Sequence, residues 1–338
     1  MESTATDDLA SLAASFPLLV YDHGEQPDNS HTLFSVADGS SRTCRVPELR
    51  SSRCACLETP CGLVLVADST SSQCSLWNPQ TGEKIALPAL DRALPEYCRC
   101  LLSDTVSSPD CLVLINDVTQ LELLFCHVRG GEEGSAWVSQ PYDLGYYTVP
   151  ESHSAPTRKE ICNMAAVQGK FYYFMETVDE VGVLSLARDP EPRLEMSSFG
   201  ATMPRFDGHA ATLGATMSYL LESSQELFLV CLFFLGCNFE RVEEVAAYKM
   251  DFSKKEWCKV TDIGDRAFLL GPHSFAASCS AGKHGLKRGC VYFAFDFFGV
   301  TNDIHIFDLR EGTRELTGPD QDVPLPARQM FWMVPVCP

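Results

Sequence analysis

The chain has 338 residues, of which 45% are hydrophobic and 21% charged, so it can bury a sizeable core and is not a disordered polymer. Asp and Glu outnumber Lys and Arg by 45 to 26, which gives a formal net charge of −19. Such a surface repels a phosphate backbone, and the densest basic group (Lys283, Lys287 and Arg288) is small, so nucleic acid is not an expected partner.

The chain begins MESTATDD, without the basic residues and apolar run of a secretory signal. Residues 1–15 are interpreted as a polar leader, with a helical turn expected over residues 7–14. The longest apolar stretch, residues 227–237, is far shorter than the roughly 20 residues of a membrane helix and predicts a buried strand instead. The 16 cysteines are expected to be reduced thiols, which indicates the cytoplasm or nucleus and no membrane partner.

One strand pattern recurs six times: a turn residue, then a short run rich in β-branched or aromatic residues. The copies begin at Pro17, Gly62, Asp110, Gly169, Glu226 and Gly289. After each copy comes a hairpin whose turn contains Asp, Asn, Gly or Pro. The hairpins begin at Thr32, Cys74, Leu123, Val183, Ala246 and Ile304. Successive copies are about 45 to 65 residues apart, close to the length of a four-stranded propeller blade.

A third strand precedes the first in the later repeats. It begins at Arg53, Tyr97, Ile161, Ala215 and His273. The first repeat has no such strand, whereas the chain ends in an unpaired one, QMFWMVPV from Gln329. We expect this tail to complete the first blade, because closure removes two exposed sheet edges. The predicted fold is all-β: a single closed, kelch-like β-propeller of about six four-stranded blades, occupying residues 16–338.

The most distinctive motif begins at Trp257: W-x-x-V-x-x-I-G-D-R-A-F-x-L-G, then a Ser/Ala-rich strand and G-L-x-x-x-C-V-Y-F. It resembles the plant F-box-associated β-propeller family of uncharacterised function, the kink-suppressor (KIB) type. FPLLVYDHG, LWNPQTGEKIALP and the closing MFWMVP also look like that family, so the resemblance covers nearly the whole chain. The matching motif residues, to which a structural role is assigned, are Trp257, Gly264, Asp265, Arg266, Gly271, Ser274, Gly285, Cys290, Tyr292 and Phe293.

The resemblance implies an N-terminal F-box, which docks on a Skp1-type adaptor, followed by a propeller that captures a substrate for ubiquitination. An F-box is a run of helical, Leu/Pro-rich sequence, yet the propeller pattern already begins at Phe16. Either the chain is a member without an F-box or the sequence is incomplete. A Skp1-type adaptor is therefore not an expected partner of these residues themselves. A protein partner bound through the propeller loops is expected.

Clustered cysteines suggest a metal or redox site as an alternative to core packing. Cys54 and Cys56, like Cys98 and Cys100, form C-x-C pairs inside predicted innermost strands, where both side chains point to one face. Zinc sites usually use pairs with two to four residues between them, so packing is the favoured interpretation and no metal is expected.

Asp265 and Arg266 are either an acid and an electrophile in a cleft or a charge-assisted pair that pins a loop, and the second is favoured. Trp77, Trp137 and Trp257 lie on outer hairpin strands and Trp332 on the closing strand. They are expected to pack between blades, with a binding hot spot as the alternative.

No P-loop, nucleophile elbow, dinucleotide fingerprint or H-E-x-x-H motif occurs, so no catalytic, cofactor-binding or metal residue is predicted and no cofactor is expected. The expected function is that of a non-catalytic, protein-binding propeller. One alternative is the substrate receptor of an SCF-type ubiquitin ligase whose F-box is missing here. A second is an enzyme with its site at the propeller channel.

Overall fold

The six predicted repeats form six β-sheets in a computed structural model. It describes residues 15–23, 30–49, 54–68, 70–95, 97–129, 136–147, 157–174, 179–189, 191–203, 215–235, 242–294, 303–319 and 329–336. The helical turn expected over residues 7–14 lies outside them. The described segments contain no helix with the length and hydropathy of a bilayer-spanning segment.

The first three blades occupy the N-terminal half of the chain. Blade 1 contains β1 (Leu18–Asp22), β2 (Ser30–Ser35), β3 (Ser41–Arg45) and the C-terminal β27 (Gln329–Met333). Blade 2 contains β4 (Cys54–Glu58), β5 (Val64–Asp68), β6 (Cys74–Trp77) and β7 (Lys84–Leu87). Blade 3 contains β8 (Cys98–Leu102), β9 (Leu112–Asp117), β10 (Glu122–His127) and β11 (Val138–Pro141). A separate two-stranded hairpin, β12 (Tyr146–Tyr147) and β13 (Thr157–Arg158), follows blade 3.

The last three blades follow in the same order. Blade 4 contains β14 (Met164–Val167), β15 (Lys170–Phe174), β16 (Glu180–Ala187) and β17 (Arg193–Gly200). Blade 5 contains β18 (Ala215–Ser223), β19 (Glu226–Phe234), β20 (Val242–Asp251) and β21 (Glu256–Val260). Blade 6 contains β22 (Arg266–Leu270), β23 (Ala276–Ser280), β24 (Cys290–Ala294), β25 (Ile304–Asp308) and β26 (Arg314–Thr317). The apolar stretch predicted to be a buried strand is β19, which confirms that interpretation.

The outer hairpins turn where Asp or Asn ends a strand. Asn78 Oδ1 accepts the N–H of Gln80 at 2.9 Å, and Asp308 Oδ1 accepts that of Arg310 at 2.8 Å. A carboxylate or amide that bonds the backbone two residues on stabilises a tight turn, so these side chains set the hairpin positions locally. The recurring Asp and Asn residues therefore have the turn role expected of them.

Six hydrophobic clusters hold the blades together, and each lies between two neighbouring blades. Blades 1 and 2, 2 and 3, 3 and 4, 4 and 5, and 5 and 6 each share one cluster. The sixth cluster joins blade 6 back to blade 1. Six interfaces for six blades mean that the ring is closed, as predicted. Each sheet therefore buries both faces, which explains why strands such as β9 are apolar throughout.

The C-terminal strand completes blade 1, which confirms the predicted closure. β27 pairs antiparallel with β1, with Leu18 opposite Met333. Trp332 is fully buried, and its Nε1 donates a hydrogen bond of 2.9 Å to the carbonyl of Leu270 in blade 6. Beyond the strand, the N–H of Val336 donates to Gln80 Oε1 of blade 2 at 2.8 Å. The tail thus contacts three blades.

Gly62, in the turn between β4 and β5, marks the tightest contact of this tail. Its φ is +89°, and a Cβ at this position would lie 2.6 Å from the carbonyl carbon of Pro335. We expect Gly62→Ala to destabilise the fold by about 2–4 kcal/mol. The alanine is strained in the left-handed conformation, and its Cβ must also displace the backbone at Pro335. Urea unfolding of the two proteins measures this loss.

Gly82→Ala is the matched control for that substitution. Gly82 also has a positive φ, +77°, but no atom lies within 4 Å of its added Cβ. Only the conformational strain of about 1–2 kcal/mol should appear there. Equal losses at the two glycines would mean that the tail does not press on blade 2.

Blade 6 has a fifth strand that the sequence did not predict. The strands expected from His273 and Gly289 are consecutive in the sequence pattern, with no strand assigned before them in this blade. Instead β22 lies between them, antiparallel to β23 and parallel to β24. The run RAFLL has the apolar composition of a fully buried strand, but the repeat pattern assigns no strand to it. Short apolar runs carry no periodicity that separates a strand from a buried connection.

Candidate functional site

A cavity of about 590 Å³, open mouth included, lies in the central channel. Residues from the inner strands of blades 2, 3, 4 and 6 surround it, so it is a product of ring assembly. The lining residues are Cys56, Leu57, Glu58, Pro60, Cys98, Arg99, Cys100, Leu101, Met164, His273, Ser274, Phe275 and Ala276.

Arg99 is the cationic group of this cavity, whose lining also contains Glu58. Cys98 and Cys100, on either side of Arg99 in β8, pack in the cluster of blades 2 and 3, so the arginine points to the other face of the sheet, toward blade 4. Its Nη1 is buried and has no hydrogen-bond partner among the residues that the structure describes. Burial lowers the pKa of Arg99 to about 10, against the opposing influence of Cys162, Tyr219, Glu58 and Glu160. Arg99 therefore remains a cation at neutral pH.

The groups around Arg99 come from different parts of the ring. Glu58 ends β4 in blade 2, Tyr219 lies in β18 of blade 5, and Glu160 and Cys162 precede blade 4. Cys162 was expected on the innermost strand of blade 4, but β14 begins only at Met164. The thiol donates to Glu160 Oε1 at 3.2 Å, and burial is the main cause that raises its pKa to about 11. Cys162 is therefore a neutral group at neutral pH.

Tyr97 and His273 form the rim of this site, which we call the channel mouth. Tyr97 precedes β8 and is 55% exposed. His273 belongs to a short 3-10 turn, Pro272–Ser274, between β22 and β23. The two rings meet edge to face with centroids 6.2 Å apart, although blades 3 and 6 are opposite in a ring of six. The turn therefore reaches across the channel.

Backbone strain shapes this turn. His273 and Ser274 both have a φ of +54°, a left-handed conformation that side chains other than Gly rarely adopt. Hydrogen bonds fix it on either side: Gly271 N donates to the carbonyl of Phe275 at 2.9 Å, and Phe275 N donates to that of Pro272 at 3.0 Å. Strain of this kind persists only where the surroundings impose it, and it often occurs at binding sites.

Asp265 and Arg266 do not form the charge-assisted pair that the sequence predicts. The carboxylate of Asp265 pairs with Arg288 (Nε–Oδ1 2.8 Å) and accepts Ser280 Oγ at 2.7 Å. The hydrogen bond from Ser280 is the main cause that lowers the pKa of Asp265. Adjacent side chains on an extended chain point apart, which explains why Arg266 turns elsewhere. Asp265 nevertheless pins a loop, the one that contains Gly282.

Arg266 joins blade 5 to blade 6. Its Nε donates to Ser223 Oγ at 3.1 Å and to Ser278 Oγ at 3.0 Å, and the two hydroxyls are 2.9 Å apart. Both serines are buried, Ser223 at the end of β18 and Ser278 in the middle of β23. The arginine thus crosslinks blades, away from the cavity lining.

The other motif residues lie in blade 6 and at its contact with blade 1. Gly271 lies against Trp332, where a Cβ would be 2.9 Å from Cδ1 of the indole. Tyr292 Oη accepts the N–H of Lys287 at 2.8 Å, and Phe293 stacks on His305 with centroids 4.8 Å apart. Gly264 and Gly285 occupy turns with positive φ, and Cys290 is buried. Of all ten motif residues, Ser274 alone is among the residues that line the cavity.

The four tryptophans lie between blades. Trp77 contacts the cluster of blades 1 and 2, Trp137 that of blades 2 and 3, Trp257 that of blades 4 and 5, and Trp332 that of blades 6 and 1. Trp137 immediately precedes β11, and its Nε1 donates to the carbonyl of Pro88 at 2.9 Å. None of the four lines the cavity.

The cysteine pairs occupy the inner strands as expected. Cys56 and Cys100 are buried, and Cys98 Sγ donates to the carbonyl of Pro95 at 3.1 Å. Within the described ranges, the three possible metal ligands that lie close together are Asp251, Glu256 and Cys258, far along the chain from these pairs. The ammonium of Lys254 already contacts both of those carboxylates, at 3.5 and 3.3 Å.

Sequence reasoning missed Arg99, Tyr97 and His273 as partners in one site. A signal for Arg99 was present: a charged residue on an otherwise apolar innermost strand needs polar surroundings, and the channel can provide them. The convergence with His273 depends on the turn between β22 and β23, and β22 was not predicted.

Comparison with known proteins agrees with this fold. The profile of the KIB1-4 beta-propeller family matches residues 33–308, most of the ring. The chain belongs to the KIB1-4 beta-propeller family. An F-box/kelch-repeat protein of Arabidopsis thaliana is 38% identical over 96 residues, which are 28% of this chain and 20% of the relative. The match therefore spans about a fifth of that relative's length.

Solved structures resemble this KIB1-4 beta-propeller only distantly. A protein from Lactobacillus plantarum has a TM-score of 0.42 at 11% identity, with 92% of this chain and 82% of that one covered. Apo AztD from Citrobacter koseri has a TM-score of 0.39 at 10% identity, with 94% and 97% covered. Virginiamycin B lyase from Staphylococcus aureus has a TM-score of 0.36 at 11% identity, with 92% and 86% covered. No activity is transferred from these proteins.

Proposed function

We propose that this KIB1-4 beta-propeller is a non-catalytic protein-binding module that receives a segment of its partner at the channel mouth. One observation carries the proposal: Tyr97, which is 55% exposed, contacts His273, and His273 lines a cavity built by four blades. Tyr and Arg are enriched among the residues that dominate binding energy, and Arg99 lines the same cavity. A rigid ring that presents such groups at one end is suited to recognition.

The chemistry of the cavity favours binding over catalysis. Its thiols are poor nucleophiles, because burial raises the pKa of Cys100 well above its ordinary value and that of Cys162, beside the cavity, to about 11. A thiol reacts as its thiolate, so a useful nucleophile needs a lowered pKa. The proposal is therefore that the chain is not an enzyme.

The decisive experiment is quantitative capture of partners by the tagged chain from plant cells. Truncation of an aromatic hot spot typically costs at least about 2 kcal/mol, so Tyr97→Ala should lower the recovery of the specific partner by roughly 30-fold. Leu316→Ala is the matched control, because Leu316 is 59% exposed on β26, the outermost strand of blade 6. Unchanged recovery with Tyr97→Ala, or an equal loss with Leu316→Ala, would refute a binding site at the channel mouth.

A second candidate function is that of substrate receptor in a ubiquitin ligase. It is favoured by the 38% identity with an F-box/kelch-repeat protein. The same capture under proteasome inhibition tests it. Recovery of a Skp1-type adaptor together with a cullin would support ligase membership. Specific partners without ligase subunits would favour a binding module that acts alone.

A further inference from the structure

We propose that the cavity beneath the channel mouth binds a carboxylate group on an apolar body, with Arg99 as its counter-ion. The proposal deepens the proposed function, on which it rests, by naming the chemistry of the inserted group. That group would belong to a partner segment, as a chain-terminal carboxylate or an acidic side chain.

Arg99 has an unsatisfied donor. Its Nη1 is buried without a hydrogen-bond partner among the described residues, although the residue as a whole is only half-buried. A buried polar atom without a hydrogen bond costs free energy. Part of that free energy can be recovered when an anion binds.

Two of the groups around Arg99 are uncharged. Burial raises the pKa of both the Cys162 thiol and the Tyr219 hydroxyl, so both are neutral at neutral pH. Glu58 and Glu160 stabilise the cation electrostatically, and the Glu160 carboxylate accepts a hydrogen bond from the Cys162 thiol. Within the described residues, the Nη1 donor of Arg99 still lacks an acceptor.

The lining of the cavity is mixed. It includes the apolar side chains of Leu57, Leu101, Met164 and Phe275 together with the polar Glu58, His273 and Ser274. The apolar part suits a carboxylate carried by a hydrophobic body, and a carboxylate matches the planar guanidinium. A phosphate dianion would meet stronger repulsion from Glu58 and Glu160 than a monoanion does.

Three small probes test the preference by isothermal titration: acetyl-phenylalanine, its neutral amide, and the α-amide of acetyl-glutamic acid. We expect acetyl-phenylalanine to bind at least about 10-fold more tightly than its amide, since charge-assisted hydrogen bonds are the stronger ones. Tighter binding of acetyl-phenylalanine than of the glutamic acid derivative would identify a chain-terminal carboxylate, and the reverse an acidic side chain. Inorganic phosphate serves as the competitor that should bind more weakly.

Arg99→Met should abolish the preference for the acid over the amide. Arg158→Met is the control, because Arg158 is exposed on β13 and contacts Tyr146. If Arg99→Met does not fold, the acid and amide affinities of the wild-type chain still decide the question. Equal affinities, binding of none of the probes, a preference retained in Arg99→Met, or tighter binding of phosphate would each overturn the proposal.

The carboxylate proposal and the proposed protein-binding function can fail independently of each other. If Tyr97→Ala abolishes partner capture but acid and amide bind equally, the channel mouth binds protein and the carboxylate proposal fails alone. If capture is insensitive to Tyr97 but the acid is preferred through Arg99, the cavity binds a carboxylate and the protein-binding role of the mouth fails.

Discussion

A chain that ends at residue 328 is expected to lose cooperative unfolding and to aggregate. Deletion of residues 329–338 removes β27, the innermost strand of blade 1. It exposes the edge of β1 and one side of the cluster between blades 6 and 1. Exposed edges of this kind pair with other chains, so aggregation is the expected form of failure.

The size of the loss supports this expectation. Five side chains of the tail are buried: Met330, Phe331, Trp332, Met333 and Val334. Burial of such a side chain contributes about 1.5–3 kcal/mol, so the five together contribute on the order of 7–15 kcal/mol. That equals the whole stability of a typical domain, about 5–15 kcal/mol.

Urea unfolding followed by circular dichroism and tryptophan fluorescence measures the effect. Trp332→Ala is the graded control. This variant should keep the fold, but its free energy of unfolding should be lower by about 3–5 kcal/mol. The substitution leaves a void in the core and removes the hydrogen bond to the carbonyl of Leu270. A peptide of residues 329–338 added in trans should partly restore the truncated chain. A truncated protein that unfolds in one sharp, reversible transition would refute closure by the tail.

The second large effect is expected at alkaline pH, where the intact ring should unfold. Eight of the described cysteines are buried free thiols, and six of them concern this effect: Cys74, Cys100, Cys111, Cys126, Cys231 and Cys290. Burial raises the pKa of every one of them above the ordinary 9.0, to about 12 for Cys74 and Cys231 and to about 11 for Cys111 and Cys290. The folded ring therefore holds these protons more tightly than the unfolded chain does.

The direction of the pH dependence follows from proton linkage. Above about pH 9 the unfolded chain releases the thiol protons while the folded ring keeps them, so the free energy of unfolding falls as the pH rises. Below that pH the contribution is fully present. At about pH 10 each thiol has lost roughly 1.4 kcal/mol, and six together about 8 kcal/mol. A loss of that size is comparable to total stability.

Urea unfolding in the presence of a reductant, at about pH 7 and about pH 10, measures this loss. In Cys126→Ala the fall in unfolding free energy between about pH 7 and about pH 10 should be smaller by about 1.4 kcal/mol, whatever the cavity costs. An unfolding free energy that is the same at the two pH values would show that these thiols ionise as easily in the ring as in the unfolded chain.

The strands and their order were largely predictable because their signals are local. Alternating apolar residues and the Asp or Asn at each outer turn act within a few residues, so all six hairpins were placed correctly. The strand β22 was missed because RAFLL is equally compatible with a buried connection. The partner of Asp265 was missed because Arg288 is brought close only by the loop after β23.

The repeat, the number of blades and the closure of the ring by the C-terminal strand could be inferred from the amino-acid sequence. They follow from local patterns and from the need to pair the exposed edge of β1. Which side chains meet in the channel depends instead on the packing of the blades. Arg99, Tyr219 and His273 come from three blades, and their proximity depends on how the sheets pack around the axis. No local pattern encodes that packing.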